Sequence, residues 1–197
     1  MPRHFLQADE PLTSLDGTTI CDFWRWAYSD VLSNTVRSTF GEFLVGKALG
    51  CLTEPRVEWD SVDLRYAGFG IEVKTSAYCQ SWFQSKPSKI IFSVRKATFW
   101  NPETGKYEGE PTRSAHCYVF CHYPEQDRAK ANVLAVPSWD FYVTSIATIN
   151  DCFGTRKTIS LASVKRHSTH AKFDGLKRTV DTVLRIESVT PEAASGP

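Results

Sequence analysis

The chain has 197 residues, 42% hydrophobic and 13% aromatic, and its 23 Lys and Arg against 22 Asp and Glu leave a formal net charge of +1. That length and apolar content suit one globular domain with a core of its own. The near-zero charge excludes a polycationic nucleic-acid coat and an acidic binder, so a charged partner must be met by local clustering.

Residues 1–18 are polar, with Pro and Gly breaks, and read as an irregular lead-in. They lack the basic start and apolar run of a secretion signal. No window approaches about 18 uninterrupted apolar residues, so no membrane span is expected and the chain is predicted to be cytoplasmic. Residues 18–32 (TTICDFWRWAYSDVL) place apolar side chains at 20, 23, 24, 27, 28, 31 and 32, a helical spacing. Ser33-Asn34 can cap a second helix with Val36, Phe40, Phe43, Leu44 and Ala48 on its apolar face. Gly50 stops it, and Glu42 sits on the margin of that face.

Then the period changes to two. A strand is expected near 61–66, a short turn at 67–70 (AGFG), and a second strand over IEVKTSAYC, together a hairpin. Further strands are expected at 89–97, 115–123 and 132–145, with 101–114 as a surface loop because of its Pro, Gly and charge content. Ser138 can cap a short helix over 139–149, and 157–164 reads as a last strand or a turn before a helix. Residues 188–197 are small and polar and are expected to be disordered. Helices, then a strand meander, then mixed elements predict an α/β (mixed α+β) domain over 19–187, built on a central sheet.

The six cysteines, at 21, 51, 79, 117, 121 and 152, read as buried thiols of a reducing compartment. Cys117 and Cys121 are flanked by His116 and His122, but on a strand the two Cys fall on one face and the two His on the other. Four ligands so split cannot converge on one tetrahedral zinc.

The chemistry sits in the hairpin. On the second strand Glu72, Lys74, Ser76, Tyr78 and Gln80 share one face. Asp63, on the first strand, is a near or diagonal neighbour of Glu72, and Glu42 can reach the same end of the sheet. Three carboxylates left together repel and raise one another's pKa. A divalent cation relieves the conflict: Asp63, Glu72 and the Val73 carbonyl make half a Mg²⁺ shell, with water and a phosphate oxygen completing it. Such a cation activates a bound water and neutralises transition-state charge. Lys74 is a compact cation suited to orienting the water or holding a phosphate oxygen.

The pattern D-x(8)-E-x-K, from Asp63 to Lys74, with Gly41-Glu42 on a helix upstream, resembles the PD-(D/E)XK superfamily of restriction-endonuclease-like nucleases over roughly residues 35–145. The resemblance implies a central mixed sheet flanked by helices and a Mg²⁺-dependent hydrolysis of nucleic-acid phosphodiesters, with Mn²⁺ able to substitute. It gives Asp63, Glu72 and Lys74 the core roles and Glu42 the helix-borne metal role. It also implies an auxiliary role for Gln80 or Gln84, and Tyr78 joins them as an auxiliary candidate. The chain departs from the family in having Ser61-Val62, not a proline, before Asp63.

Phosphates would be held by two basic clusters. One is Lys86 and Lys89 with Arg95 and Lys96. The other is the run 164–178, carrying Lys165, Arg166, Lys172, Lys177 and Arg178. Tyr78, Trp82 and Phe83 can stack on bases, or simply pack. The expected partner is DNA, with a two-fold dimer or a partner subunit if both strands are cut. No nucleophile elbow or P-loop is present. The rival from another class is a catalytically silent restriction-endonuclease-like fold serving as a DNA-binding or assembly module. Taken one by one, each of these charges also has an ordinary surface ion-pair or turn role.

Overall fold

The computed structural model describes residues 4–58, 60–101 and 104–186. The tail expected over 188–197 lies outside the described residues. Among the described residues the chain is an α/β protein with five α-helices and a mixed five-stranded sheet.

Helix α1, Ile20–Tyr28, begins where the Asp22 carboxylate accepts the Thr19 N–H at 2.8 Å. Helix α2, Asn34–Leu49, is capped by the Ser33 hydroxyl, which accepts the Val36 N–H, and it ends at Gly50 in the left-handed region (φ 68°). Its buried face differs from the expected one at Phe43, while Phe40 and Ala48 pack against the core as expected. Leu44, Val45 and Leu49 are buried with Gly41 and Gly46, while Phe43 is exposed. The reason is the close approach of α2 to the sheet: a Cβ on Gly41 would overlap the Thr75 hydroxyl. Small residues therefore define the contact line, and Phe43 is turned away from it.

The strands are β1 Leu64–Tyr66, β2 Phe69–Ala77, β3 Ile91–Ser93, β4 Ala97–Asn101, β5 Lys106–Thr112, β6 Cys117–Tyr123, β7 Asp140–Ser145, β8 Thr158–Ser160 and β9 Thr169–Ala171. The main sheet runs β1-β2-β6-β7-β9, with β2 and β6 parallel and the other pairs antiparallel. Strand β6 lies at its centre with all seven residues buried. Cys117, Val119, Cys121 and Tyr123 face α2 and α5 (Phe173–Leu184), packing with Leu44, Val45, Leu176 and Val180. Tyr118 and Phe120 face the other way, toward Phe92, Ile149, Ile159 and Val164. These come from β3, α3 (Ile146–Phe153), β8 and α4 (Leu161–His167). Each fully buried Val, Leu or Phe contributes roughly 1.5–3 kcal/mol, so this strand anchors both layers.

Several boundaries differ from expectation. Residues 106–112 are not loop; β5 pairs with β4 as a separate hairpin. Residues 140–145 are strand, and the helix follows them, capped by the Ser145 hydroxyl accepting from Thr148 N–H. Ser138 instead closes a 3-10 turn, Val136–Ser138. Cys152 is exposed, and Cys21 and Cys51 are only partly covered, so buried thiols describe just Cys79, Cys117 and Cys121. No described helix is long and apolar enough to cross a membrane.

Candidate metal and phosphodiester site

The hairpin turn is two residues, Ala67 and Gly68, both at positive φ (48° and 82°), rather than the four-residue AGFG segment. Such a turn matches the twist of the flanking strands and fixes their register. Tyr66 pairs with Phe69 and Leu64 with Ile71, a register that, continued one step, would set Asp63 opposite Glu72. The first strand is shorter than expected and stops at Leu64, because the chain bends at 61–63. Where a next strand residue would have stood opposite Val73, the Asp63 carboxylate accepts the Val73 N–H at 2.7 Å. The N–H and C=O of one strand residue point to the same side, so the Val73 carbonyl is aimed at this same edge.

Lys74 and Glu72 lie on one face, as the strand period requires. The Lys74 ammonium is 2.5 Å from a Glu72 oxygen and 3.8 Å from Asp63 Oδ2. The three side chains are 28%, 22% and 22% exposed for Lys74, Glu72 and Asp63. Burial, with the Asp63 charge added, pushes the Glu72 pKa above the usual carboxylate range, against the opposing pull of Lys74. Burial alone would lower the Lys74 pKa, but Asp63, Glu72 and Glu42 together raise it. At neutral pH the lysine is therefore a cation held between carboxylates.

Glu42 reaches the site's neighbourhood but is not free within it. It is buried, and its carboxylate takes a two-pronged contact from Arg56, Nε at 2.5 Å and Nη2 at 3.0 Å. Arg56 is the site residue that the sequence reading missed. It stands in the segment after α2, where no periodicity marks it. Glu42, Arg56 and Asp63 line one groove of about 610 Å³, with Lys47, Arg65 and Phe43.

Among the described residues, no three His, Cys, Asp or Glu side chains are gathered as a metal centre would gather them. The donor set at the hairpin is therefore two hard carboxylates and one backbone carbonyl. This fits Mg²⁺, which commonly takes one or two carboxylates and keeps several waters. It does not fit zinc. Cys117 and Cys121 lie in the α2–α5 core, the His116 Nδ1 accepts the Gly70 N–H at 2.9 Å, and His122 is buried on the opposite face.

The other candidate residues do not join this cluster. Gln80 and Gln84 fold back on their own loop. Gln80 Oε1 accepts from Arg37 at 3.0 Å, and Gln84 bonds the Gln80 N–H, the Tyr78 carbonyl and Ser88. Tyr78 meets the His122 ring edge-on. The 164–178 run does not form one basic patch: α4, with Lys165 and Arg166, covers one face of the sheet, while α5, with Lys177 and Arg178, covers the other. Lys172 is bound to Asp140 at 2.9 Å, and Lys177 to Asp181 at 2.8 Å. Lys86 and Lys89 are exposed on the loop after β2.

No family model matches the chain, and neither a curated protein nor a solved structure matches it.

Proposed function

We propose that the chain is a Mg²⁺-dependent nuclease of restriction-endonuclease-like fold that hydrolyses DNA phosphodiester bonds, with Mn²⁺ able to replace Mg²⁺. The observation that carries this reading is the set Asp63, Glu72 and Lys74, partly buried, with the Lys74 ammonium against both carboxylates at a sheet edge that also presents the Val73 carbonyl. A buried ion cluster is a weak device for stability. A cation-binding edge with a lysine beside it is what phosphodiester hydrolysis needs.

Asp63, Glu72 and the Val73 carbonyl would hold the cation. Bound there, it supplies an acidified water and neutralises charge on the phosphate. Lys74 would turn its ammonium from Glu72 toward the attacking water or a non-bridging phosphate oxygen. Glu42, oriented by its two-pronged contact with Arg56, would accept a hydrogen bond from a water on the groove side. Three carboxylates facing two cations leave the cluster one negative charge. A divalent ion makes it positive and so receptive to a phosphodiester. The groove beside it, with Lys47, Arg56, Arg65 and Phe43, suits a nucleotide's charged and flat parts.

A second reading is favoured by one observation: the protein's own cations pair two of the carboxylates, Lys74 with Glu72 and Arg56 with Glu42. That is the arrangement of a silent fold acting as a DNA-binding or assembly module. Incubation of supercoiled plasmid with Mg²⁺ or Mn²⁺ separates the two. Nicking that EDTA stops and Lys74→Ala abolishes supports the nuclease. Intact plasmid together with no heat of Mn²⁺ binding supports the module.

A further inference from the structure

We propose that the loop between β2 and β3 is a stacking platform for unpaired DNA bases, so that the preferred substrate carries a single-stranded segment. The inference rests on the nucleic-acid reading above and names its substrate class.

Phe83 is 88% exposed and its neighbour Trp82 52%. An adjacent pair of large exposed rings is unusual on a soluble surface and marks an interaction site. Here the rings are not at the tip of a loose loop. The chain is fastened on both sides of them. Gln84 accepts the Gln80 N–H at 2.7 Å and donates to the Tyr78 carbonyl at 3.2 Å and to Ser88 at 2.9 Å. Gln80 donates to the Ala77 carbonyl at 3.0 Å. Arg37 holds Gln80, and Arg128 donates to the Ser81 carbonyl at 2.6 Å and the Trp82 carbonyl at 3.1 Å. The fastened backbone keeps Trp82 and Phe83 at the surface. A loop ordered before binding loses little entropy on binding.

Charge says what the rings meet. Between Glu72 and Glu103 the chain has no acidic residue, while it carries Lys74, Lys86, Lys89, Arg95 and Lys96. Of the nearby acids, Glu125 turns onto the Gln126 and Asp127 N–H groups, and Asp127 pairs with Lys130. Rings flanked by lysines are the equipment for a stacked base with its phosphate. Only unstacked bases offer their flat faces, which selects single-stranded DNA over blunt duplex. The distance suits one substrate strand: Ala77, where the loop begins, is three residues from Lys74 on the same strand, about 10 Å at roughly 3.3 Å per residue.

The test uses the full chain in EDTA, where cleavage cannot interfere. Fluorescence anisotropy reads binding of labelled oligothymidine and of a blunt duplex of equal length. Phe83→Ala and Trp82→Ala should each weaken oligothymidine binding by about tenfold, the lower-middle part of the range for lost base stacking. Phe83→Tyr should restore it, and duplex binding should change by about twofold at most. Both side chains are solvent-facing, and unchanged thermal unfolding confirms that the variants are folded. Wild-type affinity for oligothymidine in both alanine variants overturns the proposal. So does an equal loss on both DNAs, or a loss of self-association without loss of DNA binding. Plasmid cleavage by a wild type whose loop variants bind normally would refute the platform and keep the nuclease. Phe83-dependent binding without metal-dependent cleavage would do the reverse.

Discussion

Lys74 competes with the metal in this account, and removing it should tighten metal binding while abolishing cleavage. The ammonium lies 2.5 Å from Glu72 and 3.8 Å from Asp63. At an effective dielectric constant of about 20, charge pairs at such distances are each worth roughly 4–7 kcal/mol before desolvation. Lys74 is 28% exposed, and its own burial opposes its charge. Partial burial and solvent screening leave a net of about 1–3 kcal/mol. An incoming cation must loosen that pairing, so Lys74→Met should bind Mn²⁺ about ten- to a hundredfold more tightly. The burial that raises Glu72's pKa adds a pH arm. A proton competes with the metal there, so affinity is fullest above that pKa and falls as pH drops through it. Calorimetry of Mn²⁺ binding in the absence of DNA, for wild type and Lys74→Met, reads both effects. Equal or weaker binding by Lys74→Met would refute the arrangement of lysine and metal on shared carboxylates.

Three further outcomes follow from the same geometry. Arg56→Ala strips the two-pronged partner from a buried Glu42 and should destabilise the fold by about 1–3 kcal/mol, since Arg56 itself is 40% exposed; urea unfolding reads it, and no shift in midpoint would mean that water replaces the arginine. His122 is buried, has no hydrogen-bond partner among the described residues on either ring nitrogen, and its pKa is lowered by burial to about 4 from 6.5 against the opposing pull of Asp140, 3.8 Å away. The unfolded chain therefore takes the proton first: this contribution is whole above pH 6.5 and declines toward pH 4, by about 3 kcal/mol. His122→Phe should flatten that acid limb, and an unchanged pH–stability curve would contradict it. Gly41→Val places a side chain against Thr75 and should cost about 1–3 kcal/mol by forcing α2 off β2, with cleavage falling alongside because Glu42 is the next residue; a full-strength thermal transition would show that the helix accommodates it.

The parts of this architecture that were legible in the sequence are those with a strict period or a local cap. The two-residue period of β2 put Glu72 and Lys74 on one face, and Ser33 and Gly50 marked both ends of α2. The β4–β5 hairpin was not legible, because its Pro, Gly and charged residues look like loop chemistry and it pairs outside the main sheet. Ser138 was read as the cap of the helix that follows, but 140–145 are strand and the cap is Ser145. The pairing of β7 with β6 on one side and β9 on the other decides for Ser145. Arg56 was invisible because its role depends on a long-range contact with Glu42, not on its neighbours. The 164–178 run looked like one basic patch because sequence does not show that the chain crosses from one face of the sheet to the other between α4 and α5.

Single-turnover cleavage of an end-labelled DNA with a single-stranded extension tests the central claim most directly, with wild type, Asp63→Asn and Lys74→Ala compared in Mg²⁺, Mn²⁺ and EDTA. Strand scission by wild type in both metals, none in EDTA, and a loss of about a hundredfold or more in each variant is the expected result. Scission that persists in EDTA, or equal rates in all three proteins, would contradict a metal-dependent site at Asp63, Glu72 and Lys74.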